Sequence, residues 1–151
     1  MLRCYTDASY DPRSRLSVIG WKIGQGEIQH ELIYNTSINR AELQCTINLI
    51  QQLELGQEYL IFTDCENIVN KHQQREEIIS RNFLTKNGKE IANSDLLREF
   101  FTLCTDNITI KHIQGHMAKH LMNDDNRKFS LVDKHVRRVL RQHLKDERQE
   151  G

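Results

Sequence analysis

The stretch Ile38-Asn39-Arg40-Ala41-Glu42-Leu43-Gln44-Cys45-Thr46-Ile47-Asn48-Leu49-Ile50-Gln51-Gln52-Leu53 decides the architecture, because its polarity divides by helical angle. At about 100° per residue, Ile38, Ala41, Leu43, Cys45, Ile47, Leu49, Ile50 and Leu53 share one broad arc. Arg40, Gln44, Asn48, Gln51 and Gln52 fill the opposite side. The pattern predicts a helix over 39–55, stopped by Gly56. Glu42 falls near the centre of the apolar arc, where Thr46 is the only other polar residue. A carboxylate there snorkels, partners the helix dipole from the first turn, or serves a site.

Outward from this helix the period changes. Leu2 to Asp7 alternates, Ser17 to Ile23 sets Ile19, Trp21 and Ile23 on one side, and Glu27 to Tyr34 sets Ile28, Leu32 and Tyr34 together. Gly24-Gln25-Gly26 suits a hairpin loop between the second and third of these strands. After the helix, Tyr59-Leu60-Ile61-Phe62 is a continuous apolar run, as expected of a buried central strand. Helices are predicted near Glu66 to Ile79, Ser94 to Cys104 and Phe129 to Leu144, with a fifth strand over Ile108 to Ile113. The order β-β-β-α-β-α-α-β-α implies an α/β fold with a mixed sheet and helices packed on it.

Two of the predicted strands end alike, in Tyr5-Thr6-Asp7 and Phe62-Thr63-Asp64. Ligands gather at the carboxyl ends of strands in open α/β sheets. If the two strands are parallel neighbours, their carboxylates converge, although Asp also ends strands and caps helices for purely local reasons. Asp7, Glu42 and Asp64 cannot all ionise together without a cation. An all-oxygen set fits Mg²⁺ or Mn²⁺ rather than Zn²⁺. Two such ions about 3.5–4 Å apart suit phosphodiester cleavage.

Composition excludes several classes. The 151 residues carry 21 Lys and Arg against 21 Asp and Glu, with mean hydropathy −0.65. No apolar run approaches a membrane span, and the N-terminus does not read as a signal peptide. Cys4, Cys45, Cys65 and Cys104 stand singly among apolar neighbours, which predicts reduced thiols and a cytoplasmic protein. The zero net charge hides an asymmetry: Lys111 to Lys145 holds nine Lys or Arg against three Asp, and five of the seven histidines. That segment suits a polyanion, or else a solvated helix face.

These motifs resemble the type 1 ribonuclease H family. Tyr5-Thr6-Asp7-Ala8-Ser9 is similar to its opening strand, and Asn39-Arg40-Ala41-Glu42-Leu43 to its Asn-Arg-Ala-Glu-Leu helix start. Phe62-Thr63-Asp64 resembles the Thr-Asp-Ser after its central strand, and Gly115-His116 the Gly-His after its fifth. The resemblance implies a five-stranded mixed sheet with the first three strands antiparallel, over 1–151 as a single catalytic domain. It also implies cleavage of the RNA strand of RNA–DNA hybrids with two Mg²⁺ ions, Mn²⁺ substituting, by a chain expected to act as a monomer. Under it, Asp7 bridges the ions, Glu42 and Asp64 complete one site, a last acid completes the other, and His116 assists proton transfer or product release. Ser9 and Asn39 are candidates for contact with the hybrid.

The chain departs from the family in places. The family's last acid usually follows Gly-His by about ten residues; here Asp125 follows His116 by 9 and Asp133 by 17. Asp133 is preferred, because it lies in an amphipathic helix, whereas Asp124-Asp125-Asn126 reads as an exposed loop; the extra residues would lengthen the Gly-His loop. The competing role for Asp133 is an i, i+4 partner of Arg137. Ala8, Ile38 and Glu66 replace residues common in the family. Residues 75–89, where some members carry a basic handle, mix Arg75, Arg81, Lys86 and Lys89 with Glu76 and Glu77. The alternatives to a ribonuclease H are a DNA nuclease, resolvase or strand transferase of the same fold, or a nucleic-acid-binding module without catalysis.

Overall fold

In the computed structural model, which describes residues 1–150, the sheet is built from the N-terminus outward. β1 (Leu2–Asp11) and β2 (Leu16–Ile23) pair antiparallel from Cys4↔Ile23 to Asp11↔Leu16. β3 (Gln29–Ile33) pairs antiparallel with β2, after a turn closed by the Gly26 amide donating to the Ile23 carbonyl at 2.9 Å. α1 (Ile38–Gln51) then carries the chain across, so that β4 (Tyr59–Thr63) runs parallel to β1. β5 (Ile108–His112) is parallel to β4, giving the order β3-β2-β1-β4-β5. α2 (Glu66–Gln73), α3 (Arg75–Ser80) and α4 (Ser94–Leu103) lie between β4 and β5, and α5 (Asp124–Glu150) ends the fold.

Alternation along β1 divides two cores. Cys4 faces α1 and α4 in a cluster with Ile19, Trp21, Ile61, Cys45, Ile47, Leu97 and Phe100. Tyr5 faces α5, packing with Phe62, Phe129 and Val132, while Leu16 and Val18 meet Val136 and Leu140. The buried faces of α1 and α5 therefore clamp the sheet from opposite sides. All four cysteines are free, and three are buried. No helix among the described residues is long and apolar enough to cross a membrane.

Several expected boundaries move, each for a local reason. β1 does not end at Asp7 but continues to Asp11, because its outer half keeps pairing with β2 after β4 has stopped. α1 ends at Gln51 rather than Leu55, and Leu55 is fully out in solvent. The single helix expected over 66–79 breaks at Gln74 into α2 and α3. Tyr34 lies beyond β3 and is exposed, as is Ile38 at the start of α1. Most importantly, α5 begins at Asp124, not Phe129. Asn123 and Asn126 exchange side-chain and backbone bonds at 2.8 and 3.0 Å, which caps the helix early. The residues beyond the family spacing thus include helix turns as well as loop.

In the segment 75–89, two of the four cations are engaged within the domain. The Arg75 guanidinium donates to the carbonyls of Phe101 and Cys104, and Arg81 pairs with Glu77 at 3.1 Å.

At Gly20 α5 packs closely against the sheet. A Cβ built there would lie 2.5 Å from Val136 Cγ1 and 3.3 Å from the Gln29 carbonyl oxygen. Gly20→Ala should therefore destabilise the protein by about 1–3 kcal/mol, the usual range for overpacking. Adding Val136→Ala should cost less in the Gly20→Ala background than in the parent, measured by urea unfolding of all four proteins.

Candidate active site

The parallel register brings two carboxylates together. β1 and β4 pair through Tyr5↔Phe62, and two further residues along each strand set Asp7 beside Asp64. Asp7 lies inside β1 and is buried, whereas Asp64 is the first residue past β4 and is half-buried. Glu42 enters from the first turns of α1, whose start is capped by Ser37 accepting from the Arg40 amide. Arg40 in turn makes two bonds to Asp95, at 2.7 and 3.0 Å, and so ties this end of α1 to α4. One turn beyond Glu42, the buried Cys45 thiol shares its one proton between the carbonyls of Gly20 and Asp7, at 3.1 and 3.4 Å. That pair of bonds sets the height of α1 over the strands.

Oxygen atoms of Asp7, Glu42 and Asp64 lie within 4.8 Å of one another. Glu42 Oε2 is buried and has no hydrogen-bond partner. An unpaired buried carboxylate oxygen is costly, so it marks a place where a ligand is expected. Burial is the largest cause raising the Asp7 carboxyl, to about 10, and the charges of Glu42 and Asp64 add to it. Burial and then Asp64 raise Glu42 well above the usual carboxylate range. Asp64 is raised by burial and by Asp133, with His116 and His112 pulling the other way. An all-oxygen, charge-crowded set of this kind fits a hard divalent cation, which removes the repulsion and supplies a partner for Glu42.

α5 brings the fourth acid. Asp133 stands close enough to the cluster to help raise the Asp7 and Asp64 carboxyls. Its carboxylate is also gripped by Arg137, at 2.6 and 3.1 Å, so the i, i+4 partnership and the approach to the cluster both hold. Asp125 is engaged elsewhere. It accepts from the Tyr5 hydroxyl at 2.5 Å and pairs with Arg3, two helical turns before Asp133. Among the two candidates, the structure brings only Asp133 to the cluster.

Gly115 explains why its loop can approach. A Cβ there would lie 3.0 Å from Asp64 Oδ2. His116 follows with φ +56°, and its Nδ1 lies 3.0 Å from Arg137 Nη2. Nε2 of the same ring lies 3.4 Å from that guanidinium nitrogen, and since arginine can only donate, the ring nitrogen that meets it accepts. Ser9 lies two residues past Asp7 on β1, half-buried. Asn39 lines a separate cleft of about 380 Å³ with Asn67, Lys71, Arg81 and Asn93.

The sequence matches the RNase H family model over residues 1–140. The chain belongs to the RNase H family. Among solved structures it is similar to the protease–reverse transcriptase of prototype foamy virus, at 18% identity and TM-score 0.74. That match covers 91% of this chain but 20% of the other, so the chain spans about a fifth of the viral protein's length. A foamy viral protease–reverse transcriptase in complex with double-stranded DNA is similar at 13% identity and TM-score 0.68, covering 88% of each chain. At such identities the likeness is one of fold. No curated protein sequence matches the chain.

For an RNase H family member, the roles of Cys45, Gly115 and the Asp125–Tyr5–Arg3 group escape a reading by sequence. Cys45 and Gly115 carry no charge pattern, and the Asp125 tie spans 120 residues. Only the i, i+4 spacing of Asp133 and Arg137 carries a signal.

The raised carboxyls make a prediction about pH. Folded pKa values above the usual 3.8 and 4.5 mean that the folded state holds protons more tightly. Their stabilising contribution is fully present below the unfolded pKa and is lost as pH rises toward the folded value, about 10 for Asp7. In chelator, Glu42→Gln should match the parent near pH 4 and exceed it by about 1 kcal/mol or more at pH 8, one pKa unit of relief being worth about 1.4 kcal/mol. Added Mg²⁺ or Mn²⁺ should raise the melting temperature of the parent and not of the variant. Thermal unfolding with and without the ion reads both effects.

Proposed function

We propose that the protein is a ribonuclease H, cleaving the RNA strand of RNA–DNA hybrids with Mg²⁺ or Mn²⁺. The observation that carries this reading is the convergence of Asp7, Glu42 and Asp64, with the Glu42 oxygen unpartnered, in a chain of the RNase H family. Asp7, Glu42 and Asp64 would hold one ion, and Asp7 with Asp133 a second. Bound there, the ions supply a water of lowered pKa and a clamp on the phosphodiester oxygens.

The chain's own residues do the rest. The raised carboxyls release protons as the ions enter, so loading strengthens with pH. Arg137 orients Asp133 from behind and holds His116 Nδ1. Release of that nitrogen from Arg137 leaves the imidazole free to take up or deliver a proton near the cluster. Ser9, beside Asp7, and Asn39, in the cleft before Glu42, are proposed contacts to the hybrid. The 2′-hydroxyl is the group by which such contacts tell RNA from DNA.

The test is incubation with Mg²⁺ or Mn²⁺ and matched RNA–DNA, DNA–DNA and RNA–RNA duplexes. Only the RNA of the hybrid should be cut, and chelation should stop it; equal cutting of plain DNA would reject the substrate. Asp133→Asn should lower turnover by more than about a hundredfold, beyond the 10–100-fold typical of residues outside the ligand shell. Asp125→Asn should leave turnover near that of the parent. His116→Ala should lose about 10²–10⁴-fold, the usual worth of a proton-transfer group. An inactive Asp125→Asn beside an active Asp133→Asn would reverse the two assignments.

A further inference from the structure

A second cleft, of about 480 Å³, opens beside the carboxylate cluster and runs between the Gly115-His116 loop and the outer side of α5. Its cations are Lys119 from the loop, Arg127 and Lys134 from α5, and Arg137 at the end nearest His116. Its apolar wall comes from Met117, Met122 and Leu131, of which Leu131 is half in solvent. The cleft's only acid is Asp133, and Arg137 already closes on it at 2.6 Å.

Nearby negative charge is spoken for. Asp124 pairs with Lys128 at 3.2 Å, and Asp125 is held by Arg3 and Tyr5. Lys119, Arg127 and Lys134 make no ion pair among the described residues. Arg127, Leu131 and Lys134 are spaced at i, i+4, i+7 and so share one helix face. The two cations stand about 10 Å apart along the axis of α5, about three times the ~3.4 Å axial rise between successive charges of one strand of a duplex. An unpaired row of cations that begins at the cluster and faces an apolar wall suits a strand of phosphates with its sugars turned inward.

We infer that this cleft carries the phosphate backbone of the cleaved RNA strand for about three nucleotides to one side of the cut, held by Lys119, Arg127 and Lys134. The inference rests on the ribonuclease H reading and adds to it a strand and a direction away from the cluster. None of the three cations belongs to the carboxylate cluster or hydrogen-bonds His116, whose bonded partner is Arg137.

The experiment compares the parent with the triple variant Lys119→Gln, Arg127→Gln, Lys134→Gln, after circular dichroism melting establishes that both are folded. The substrates are one RNA–DNA hybrid with its RNA extended on both sides of the cut, and two versions with the RNA cut back on one side or the other. On the extended hybrid, the variant should show a KM raised about tenfold or more with kcat within about twofold. Its slope of log KM against log salt should fall by about two to three units, near 0.7–0.9 for each phosphate no longer neutralised. On one of the cut-back hybrids, parent and variant should be alike. An unchanged KM and slope, or the same deficit on both cut-back hybrids, would overturn the cleft assignment.

Binding of the fluorescent hybrid in chelator, read by anisotropy, separates the two readings. Tighter binding by the parent than by the variant, with no cutting when Mg²⁺ or Mn²⁺ is restored, would remove the nuclease and keep the cleft. Equal cutting and equal binding would remove the cleft and keep the nuclease. A parent that binds no hybrid at low salt would overturn both.

Discussion

Like charges brought within a few ångströms of one another are the constraint on which the rest of this structure turns. Asp7, Glu42 and Asp64 come from three elements, and each would separate from the others if the backbone let it. The frame that prevents this is specific. The parallel register of β1 and β4 aligns two acids, and the Cys45 thiol bonds two strand carbonyls under α1. Val136 sits over Gly20, where a Cβ would lie 2.5 Å from its methyl, so the bare glycine lets α5 pack close onto β2. Without a cation the arrangement opposes folding, so the apolar cores on both faces must supply the stability that the cluster withdraws.

That division shows in where the polar and apolar residues fall. The core under α1 and α4 is large and almost wholly apolar, while the core under α5 is smaller and split in two. α5 therefore relies on more than burial. Its first turn is tied through Asp125 to Tyr5 and Arg3, and its middle by Val136 against Gly20. Asp133 lies between these two fixings, which gives it a definite position without a deep pocket of its own.

Much of this is legible in the sequence because the signals are periodic. Glu42 stands out as the one acid on an otherwise apolar arc, and the Tyr59–Phe62 run announces a strand buried on both faces. What escapes is set by partners far away in the chain. The end of β1 is hidden because its outer half is held by β2 alone, and Ser9 to Asp11 look no different from loop residues. The start of α5 is hidden because Asp and Asn suit both a loop and a first helical turn, and only the Asn123–Asn126 exchange decides between them. The contrast between Asp133 in a helix and Asp125 in a loop dissolves, since both lie on α5; what separates them is that Asp125 is bonded to Tyr5 and Arg3.

The early start of α5 has a consequence for how its length can change. Asp133 follows His116 by 17 residues, seven more than the spacing of about ten seen in the sequences it resembles. In a helix, seven residues turn through about 700°, some 20° short of two full revolutions. Added in helical form, they lengthen the rod yet return the carboxylate to nearly the same compass bearing. A gain of five would swing it by about 140° and aim it at solvent. Growth between the Asp125 tie and Asp133 is therefore quantised: there the helix can lengthen by whole turns and keep its chemistry in phase, but not by amounts in between.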